Sequence, residues 1–224
     1  PVNAIQGFAE VIQQQLFGPT PHDYRALAAT IAGDAARMLS AFEELERLAK
    51  LDSAAMELEP GETDLAAVLE TTIAQLAGHT RQRGSGFDLR IEEAPLRVGL
   101  DRLEVERIVW RLLATLAGVC TPGEVLKARL RPRNGKIRLD IALPAALAAR
   151  SDEDLFKASA GAIAQTLAAG VFGVGFALRL ARAEATAAGG KLDRKTDRLR
   201  LTLPGLTDSV SDHSSGLAQD TGNG

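Results

Sequence analysis

DYRALAATIAGDAARMLSAFEELERLAKL, residues 23–51, has an internal rhythm that decides how the rest of the chain is read. Tyr24, Ala28, Ile31, Ala35, Met38, Phe42, Leu45 and Ala49 recur at alternating steps of four and three, the spacing of a heptad seam. Leu27, Leu39 and Leu48 broaden the stripe beyond that of a two-stranded coil, so this helix needs more than one neighbour.

Upstream, PVNAIQGFAEVI (residues 1–12) places Ile5, Phe8 and Ile12 at helical spacing, continued by Leu16. Phe17-Gly18-Pro19-Thr20-Pro21 ends that run. Two helices joined by a short loop cannot bury so wide a face alone. Two such hairpins, one from each of two chains, make a four-helix bundle. Residues 1–52 are therefore expected to form half of a homodimeric bundle, with Ile31, Met38, Phe42 and Leu45 in the dimer core.

Downstream the character changes. Residues 53–63 form a polar linker that includes Glu57-Leu58-Glu59-Pro60-Gly61-Glu62-Thr63. Asp64 is placed to cap a helix running to about Arg83, and Phe87, Leu89 and Ile91 alternate with charged residues as in a strand. A strong helix is expected over Asp101–Val119. The alternating runs 126–130 and 137–141 flank Asn134-Gly135, a hairpin turn signal. The Ala-rich stretch 144–170 has the composition of helices and loop together, and a further helix is predicted over Gly173–Ala188. Leu192, Leu199, Leu201 and Leu203 suggest a last hairpin. The fold class is α+β: a helical hairpin, then residues 64–206 as an α/β sandwich with helices on one side of a mixed or antiparallel sheet. Residues 207–224 are too polar to pack and are expected to be disordered.

Composition excludes several classes. Hydrophobic residues make up 46% of the chain, enough for a sizeable core, but aromatics are only 4%, so Ala, Leu, Val and Ile must build it. A net charge of −3 argues against a general nucleic-acid surface. No run approaches the ~20 apolar residues of a membrane span, so no membrane contact is expected from this segment, and any anchor would lie upstream of Pro1. Cys120 is the single cysteine, which rules out an internal disulfide and cysteine-based zinc sites and suits a reducing compartment. Within an apolar stretch it reads as a small core residue.

The order hairpin, linker, helix, strand, helix, hairpin, helix, hairpin resembles that of bacterial sensor histidine kinases of two-component systems. PVNAIQGFAEVI is similar to their first bundle helix just after the phosphoacceptor motif H-E-L-R-T-P, and Leu16-Phe17-Gly18-Pro19 to the loop that follows. Val98-Gly99-Leu100-Asp101-Arg102-Leu103 and Thr121-Pro122-Gly123 look like the start and end of the ATP-site helix. Gly173-Val174-Gly175-Phe176-Ala177-Leu178, with Gly189-Gly190, is similar to the last glycine box and the turn beyond it. The resemblance covers everything but the tail and implies a sandwich of the histidine-kinase ATPase (Bergerat) type and a cytoplasmic location. It makes Pro1 the proline of the phosphoacceptor motif, so the family's histidine would precede this sequence, as in a longer protein cut here. His22-Asp23, at the start of the second helix, reads as an exposed cap instead.

The family passes phosphate from magnesium ATP to that histidine and then to an Asp on a response-regulator receiver. Aligned through Thr121-Pro122, the family's metal-binding Asn corresponds to Leu116 and its companion one turn earlier to Leu112. The Asp-x-Gly-x-Gly segment that should hold adenine reads Leu143-Pro144-Ala145-Ala146-Leu147, and Asp140 is expected to face away from the apolar side. Gly173 and Gly175 remain as a partial glycine box. They offer the N–H groups of a helix start to a phosphate, or serve close packing. Any bound nucleotide would lean on Arg179 or Arg182. The expectations are thus no catalytic residue, no metal, no ATP cofactor for this chain, and an eroded ATP domain without autokinase activity. The resemblance also places receiver-docking residues at Asn3, Gly7 and Phe8. Phe8 could equally belong to the bundle core, and Gly7 could simply allow helices to approach. Two readings follow, a sensor kinase fragment or a non-catalytic pseudokinase or phosphotransfer scaffold that dimerises and docks a receiver.

Overall fold

A computed structural model describes residues 1–157 and 172–206. The two hairpin helices are α1 (Val2–Gln13) and α2 (His22–Asp52). Pro1 starts α1, where its missing N–H costs nothing and its carbonyl accepts from the Ile5 N–H at 3.1 Å. After α1 the chain turns through Gln15 in the left-handed region, at φ 57°. The helices meet through small residues: Ala9 of α1, with Ala28, Ala35 and Ala41 of α2, is buried. Larger apolar side chains of the same helices point elsewhere.

Residues 53–62 carry no helix or strand. They are nonetheless held to the second part of the chain, because the Asp101 N–H donates to the Glu59 carbonyl at 2.9 Å. The chain then forms β1 (Thr63–Asp64), α3 (Leu65–Thr80), β2 (Gly86–Ile91), β3 (Arg97–Val98) and α4 (Arg102–Val119). The predicted Asp64 cap is present, its carboxylate accepting from the Ala66 N–H at 3.0 Å. The helix expected to reach Arg83 stops at Thr80 and tightens into a single 3-10 turn, Arg81–Arg83. Asp101 caps α4 in the same manner, accepting from the Leu103 N–H at 2.8 Å. β1 and β3 pair antiparallel in a two-residue ribbon that the sequence does not announce, since two residues hold no alternation.

The main sheet adds β4 (Val125–Arg133), β5 (Lys136–Ala142), β6 (Lys191–Lys195) and β7 (Arg198–Pro204) in the order β2-β4-β5-β7-β6. It is mixed: β2 runs parallel to β4, and every other pair is antiparallel. Asn134 and Gly135 both take positive φ, 53° and 69°, as the tight β4–β5 turn requires. The short helices α5 (Ala145–Ala148) and α6 (Asp152–Leu155) and the long α7 (Gly173–Ala187) complete the described elements. Inward-facing Leu126, Leu130, Leu139, Ile141, Leu199 and Leu201 join α3, α4 and α7 in one core. Among the described residues no helix packs on the other face of the sheet. Residues 158–170 of the Ala-rich stretch, for which helices and loop were expected, and the tail from Thr207, expected to be disordered, lie outside the described residues.

Candidate functional site

The two positions that the resemblance assigns to the metal-binding Asn and its companion, Leu116 and Leu112, are buried. Leu112 and Leu116, on the inner side of α4, are buried in one cluster with Leu143, Leu147, Leu155, Val174 and Leu178. These come from the segment after β5, from α5, α6 and α7. Glu124 fixes that segment by accepting from the Ala145 N–H at 2.7 Å and the Thr121 N–H at 2.8 Å. Burial pushes its carboxyl up, but these backbone bonds outweigh it and hold it below the ordinary carboxylate value. Asp140 lies on the far face of the sheet, as alternation predicts, between Arg131 at 3.2 Å and Arg200 at 2.6 Å.

Gly173 opens α7 in the left-handed region, φ 76°. At Gly175, one turn in, a Cβ would collide with the carbonyl of Lys157. The glycine therefore admits the chain's own backbone, and the Lys157 carbonyl stands against the first turn of the helix. Arg179 and Arg182 are engaged as well. Arg179 pairs with Asp52 at 2.8 Å, while Arg182 lies 3.3 Å above the Phe156 ring and donates to the Leu192 carbonyl at 3.0 Å. Burial pulls the Arg182 guanidinium below its ordinary value, against the fields of Asp152 and Asp193.

On the hairpin, Asn3 and Phe8 are exposed, Phe8 at 70%, and Gly7 is half-buried. A Cβ at Gly7 would meet nothing within 4 Å, so no helix of the same chain needs the glycine for close approach. Ile31, Met38, Phe42 and Leu45, the residues expected in a dimer core, are all exposed in the single chain, Met38 at 47% and Phe42 at 56%. Ala28 and Ala35 of the same heptad face α1 instead. His22 approaches Asp23 at 3.8 Å, with both side chains in solvent.

The arrangement that sequence reasoning missed is the seam between hairpin and sandwich. Glu184 of α7 has a completely buried side chain and accepts from Arg47 of α2 at 2.7 Å and from Arg111 of α4 at 3.3 Å. Arg47 also reaches Glu104 at 2.5 Å, and Arg111 reaches Glu44 at 2.5 Å. Burial draws the Arg47 guanidinium down, yet its bonds and fields from Glu184 and Glu104 prevail and hold it above its ordinary value. Leu48 of α2 packs beside this cluster on Phe176 and Leu180. One signal was available: Glu184 follows Leu180 and Ala177 on the apolar stripe of α7, where an unpaired charge would be untenable.

No protein-family model and no curated protein matches the sequence. Solved structures do match in shape. Full-length ShkA in complex with AMPPNP aligns over 92% of this chain with a TM-score of 0.70 at 16% identity, covering 43% of its own length. The Acinetobacter baumannii histidine kinase AdeS aligns over 91% of this chain and 94% of its own, TM-score 0.60, 17% identity. ThkA in complex with the response regulator TrrA aligns over 91% of this chain and 57% of its own, TM-score 0.50, 18% identity. The chain thus has the fold of the histidine-kinase bundle hairpin and ATPase-type domain, and it spans less than half of ShkA.

Proposed function

We propose that this chain belongs to a two-component signalling protein, similar to a sensor histidine kinase, that dimerises and docks a receiver while its ATPase-type domain no longer takes nucleotide. The observation that carries this reading is the complete burial of Leu112 and Leu116 in the hydrophobic core, at the positions where the resemblance puts polar ligands. Magnesium bound to a triphosphate takes oxygen ligands, and the residues here do not fit that group. The backbone of Lys157 against Gly175 supports the same reading at the phosphate end.

The apolar face of the hairpin supports the dimer. Exposed Met38, Phe42, Ile31 and Leu45 form a seam that a second copy would cover. The ThkA–TrrA complex, in which a chain of this fold meets a response regulator, supports a receiver as partner. In this reading the receiver would meet Asn3, Gly7 and Phe8, and the protein would act in the cytoplasm. Among the described residues no helix is long and apolar enough to cross a membrane.

Calorimetric titration with magnesium ATP tests the proposal. The expected result is no saturable heat up to millimolar nucleotide, with or without the metal. Saturable, magnesium-dependent binding would restore the alternative, an ATP-dependent sensor kinase, and overturn the assignment of Leu116.

A further inference from the structure

The outer face of the five-stranded sheet has a charge opposite to that of the chain as a whole. Outward positions alternate with core positions along each strand. On β4 they hold Lys127, Arg129, Arg131 and Arg133, and on β5 Lys136, Arg138 and Asp140. The register puts Arg131 directly across from Arg138 and Arg133 across from Lys136. Like charges directly opposite in a sheet destabilise it, so the hairpin end of this face carries two unfavourable rows in succession.

Nearby acids relieve those rows only at Arg131. Asp140 is shared by Arg131 and Arg200, and Asp193 takes Lys191 at 3.0 Å. Among the described residues Arg133, Lys136 and Arg138 have no ion-pair partner, and the buried Nε atoms of Arg131 and Arg138 have no hydrogen-bond acceptor. Those two Nε atoms lie out of a partner's reach, so an incoming carboxylate would meet the outer guanidinium nitrogens of these arginines and the exposed Arg133 and Lys136.

We propose that this end of the β4–β5 hairpin is a docking surface for an acidic segment of a partner protein, whose carboxylates are received by Arg131, Arg133, Lys136 and Arg138. Carboxylate is the favoured anion for three reasons. The outward positions of the sheet hold no aromatic side chain, so nothing offers a base the stacking that single-stranded nucleic acid uses. Asp140 and Asp193 are built into the same face and would oppose a continuous array of phosphates. The net charge of −3 means the remainder of the chain is acidic, which disfavours a duplex or bilayer extending beyond the patch. A short polypeptide covers two rows and stops.

The full chain is titrated at physiological salt against a fluorescein-labelled oligoglutamate peptide, a duplex DNA of equal charge, and phosphatidylserine vesicles. Saturable peptide binding, tighter than to DNA or vesicles, is expected. Arg138→Glu is expected to weaken it at least tenfold while raising the thermal midpoint, because it sets a carboxylate opposite Arg131. The double variant Arg133→Glu/Lys136→Glu, at the solvent-exposed end, should weaken it as much. Arg102→Glu on α4 removes the same charge elsewhere and should leave it unchanged. Three results would overturn the proposal: no saturable peptide binding, equal loss in Arg102→Glu, or tighter binding of DNA or vesicles.

Discussion

The helical hairpin and the sandwich divide their apolar residues in opposite ways. In the hairpin the buried side chains are mostly alanines, Ala9, Ala28, Ala35 and Ala41, while Phe8, Met38 and Phe42 stand in solvent. In the sandwich the large side chains are inside: Leu65, Leu69, Ile108, Leu112, Leu113 and Leu116 are all fully buried. Within one chain the sandwich finishes the burial of its large apolar residues, and the hairpin does not.

The largest effect should come from asking the finished part to become a ligand site again. Leu116→Asn installs the residue type that the resemblance assigns to the metal ligand, placing an amide at a fully buried position in the hydrophobic core. Loss of the leucine's burial and an unsatisfied polar group together should cost about 5 kcal/mol, read by urea denaturation. A variant that kept wild-type stability would mean that the pocket is less filled than it looks, and the contrast between the two regions would fail.

The seam where the regions meet should respond next. Glu184→Ala leaves Arg47 and Arg111 facing each other without their shared carboxylate. Because Arg47 keeps Glu104 and Arg111 keeps Glu44, losing the two charge-assisted bonds to Glu184 should cost about 3 kcal/mol, and hydrogen exchange should show the extra opening at α2 and α7. Exchange confined to the interior of the sheet, with α2 unaffected, would show that the cluster does not join the two parts.

How much of this was legible follows the same division. Periodicity exposed α1, α2, α4 and the β4–β5 hairpin, because each is long enough for its pattern to be counted and each ends on a strong signal such as Asp101 or Asn134-Gly135. The identity of Leu116 and Leu112 could be read against the family pattern, but that both are fully buried in one core with Leu143, Leu147 and Leu155 is a matter of packing. The Arg47–Glu184–Arg111 cluster joins residues more than a hundred positions apart in the chain, which no local pattern reports. The cationic hairpin end was hidden for a different reason. Net charge averages over the whole surface, whereas strand register decides which charges share a face.

The unfinished part gives the third test. Phe42→Glu should leave the protomer fold intact, since the side chain is exposed there, and weaken the proposed dimer by roughly 3 kcal/mol for each charge left unpaired at the interface. Light scattering should report a shift from dimer to monomer at micromolar concentration, with unchanged helical circular dichroism. A loss of folding in the monomer would place Phe42 in the protomer's own core. A variant that stayed dimeric would move the seam to another face of α2.

The smallest effect probes whether the sandwich stays closed at its edge. Cys120 follows α4, is buried, and its thiol donates to the Leu116 carbonyl at 3.3 Å. Burial, helped by the field of Glu124 and only partly offset by Arg83, pushes the thiol from its ordinary value up to about 11. Because the folded value is the higher one, the unfolded chain loses its proton first as pH rises. The stability from the protonated thiol is complete below pH 9 and drains away as pH rises toward 11, by at most about 2–3 kcal/mol. Cys120→Ser or Cys120→Ala should remove that step from the alkaline stability curve while leaving the neutral region of the curve parallel to wild type. Iodoacetamide at pH 8 should label the native thiol slowly and the urea-unfolded thiol at once. Rapid native labelling would mean that the end of α4 opens easily, and the leucines filling the pocket beside it would then be a door rather than a wall.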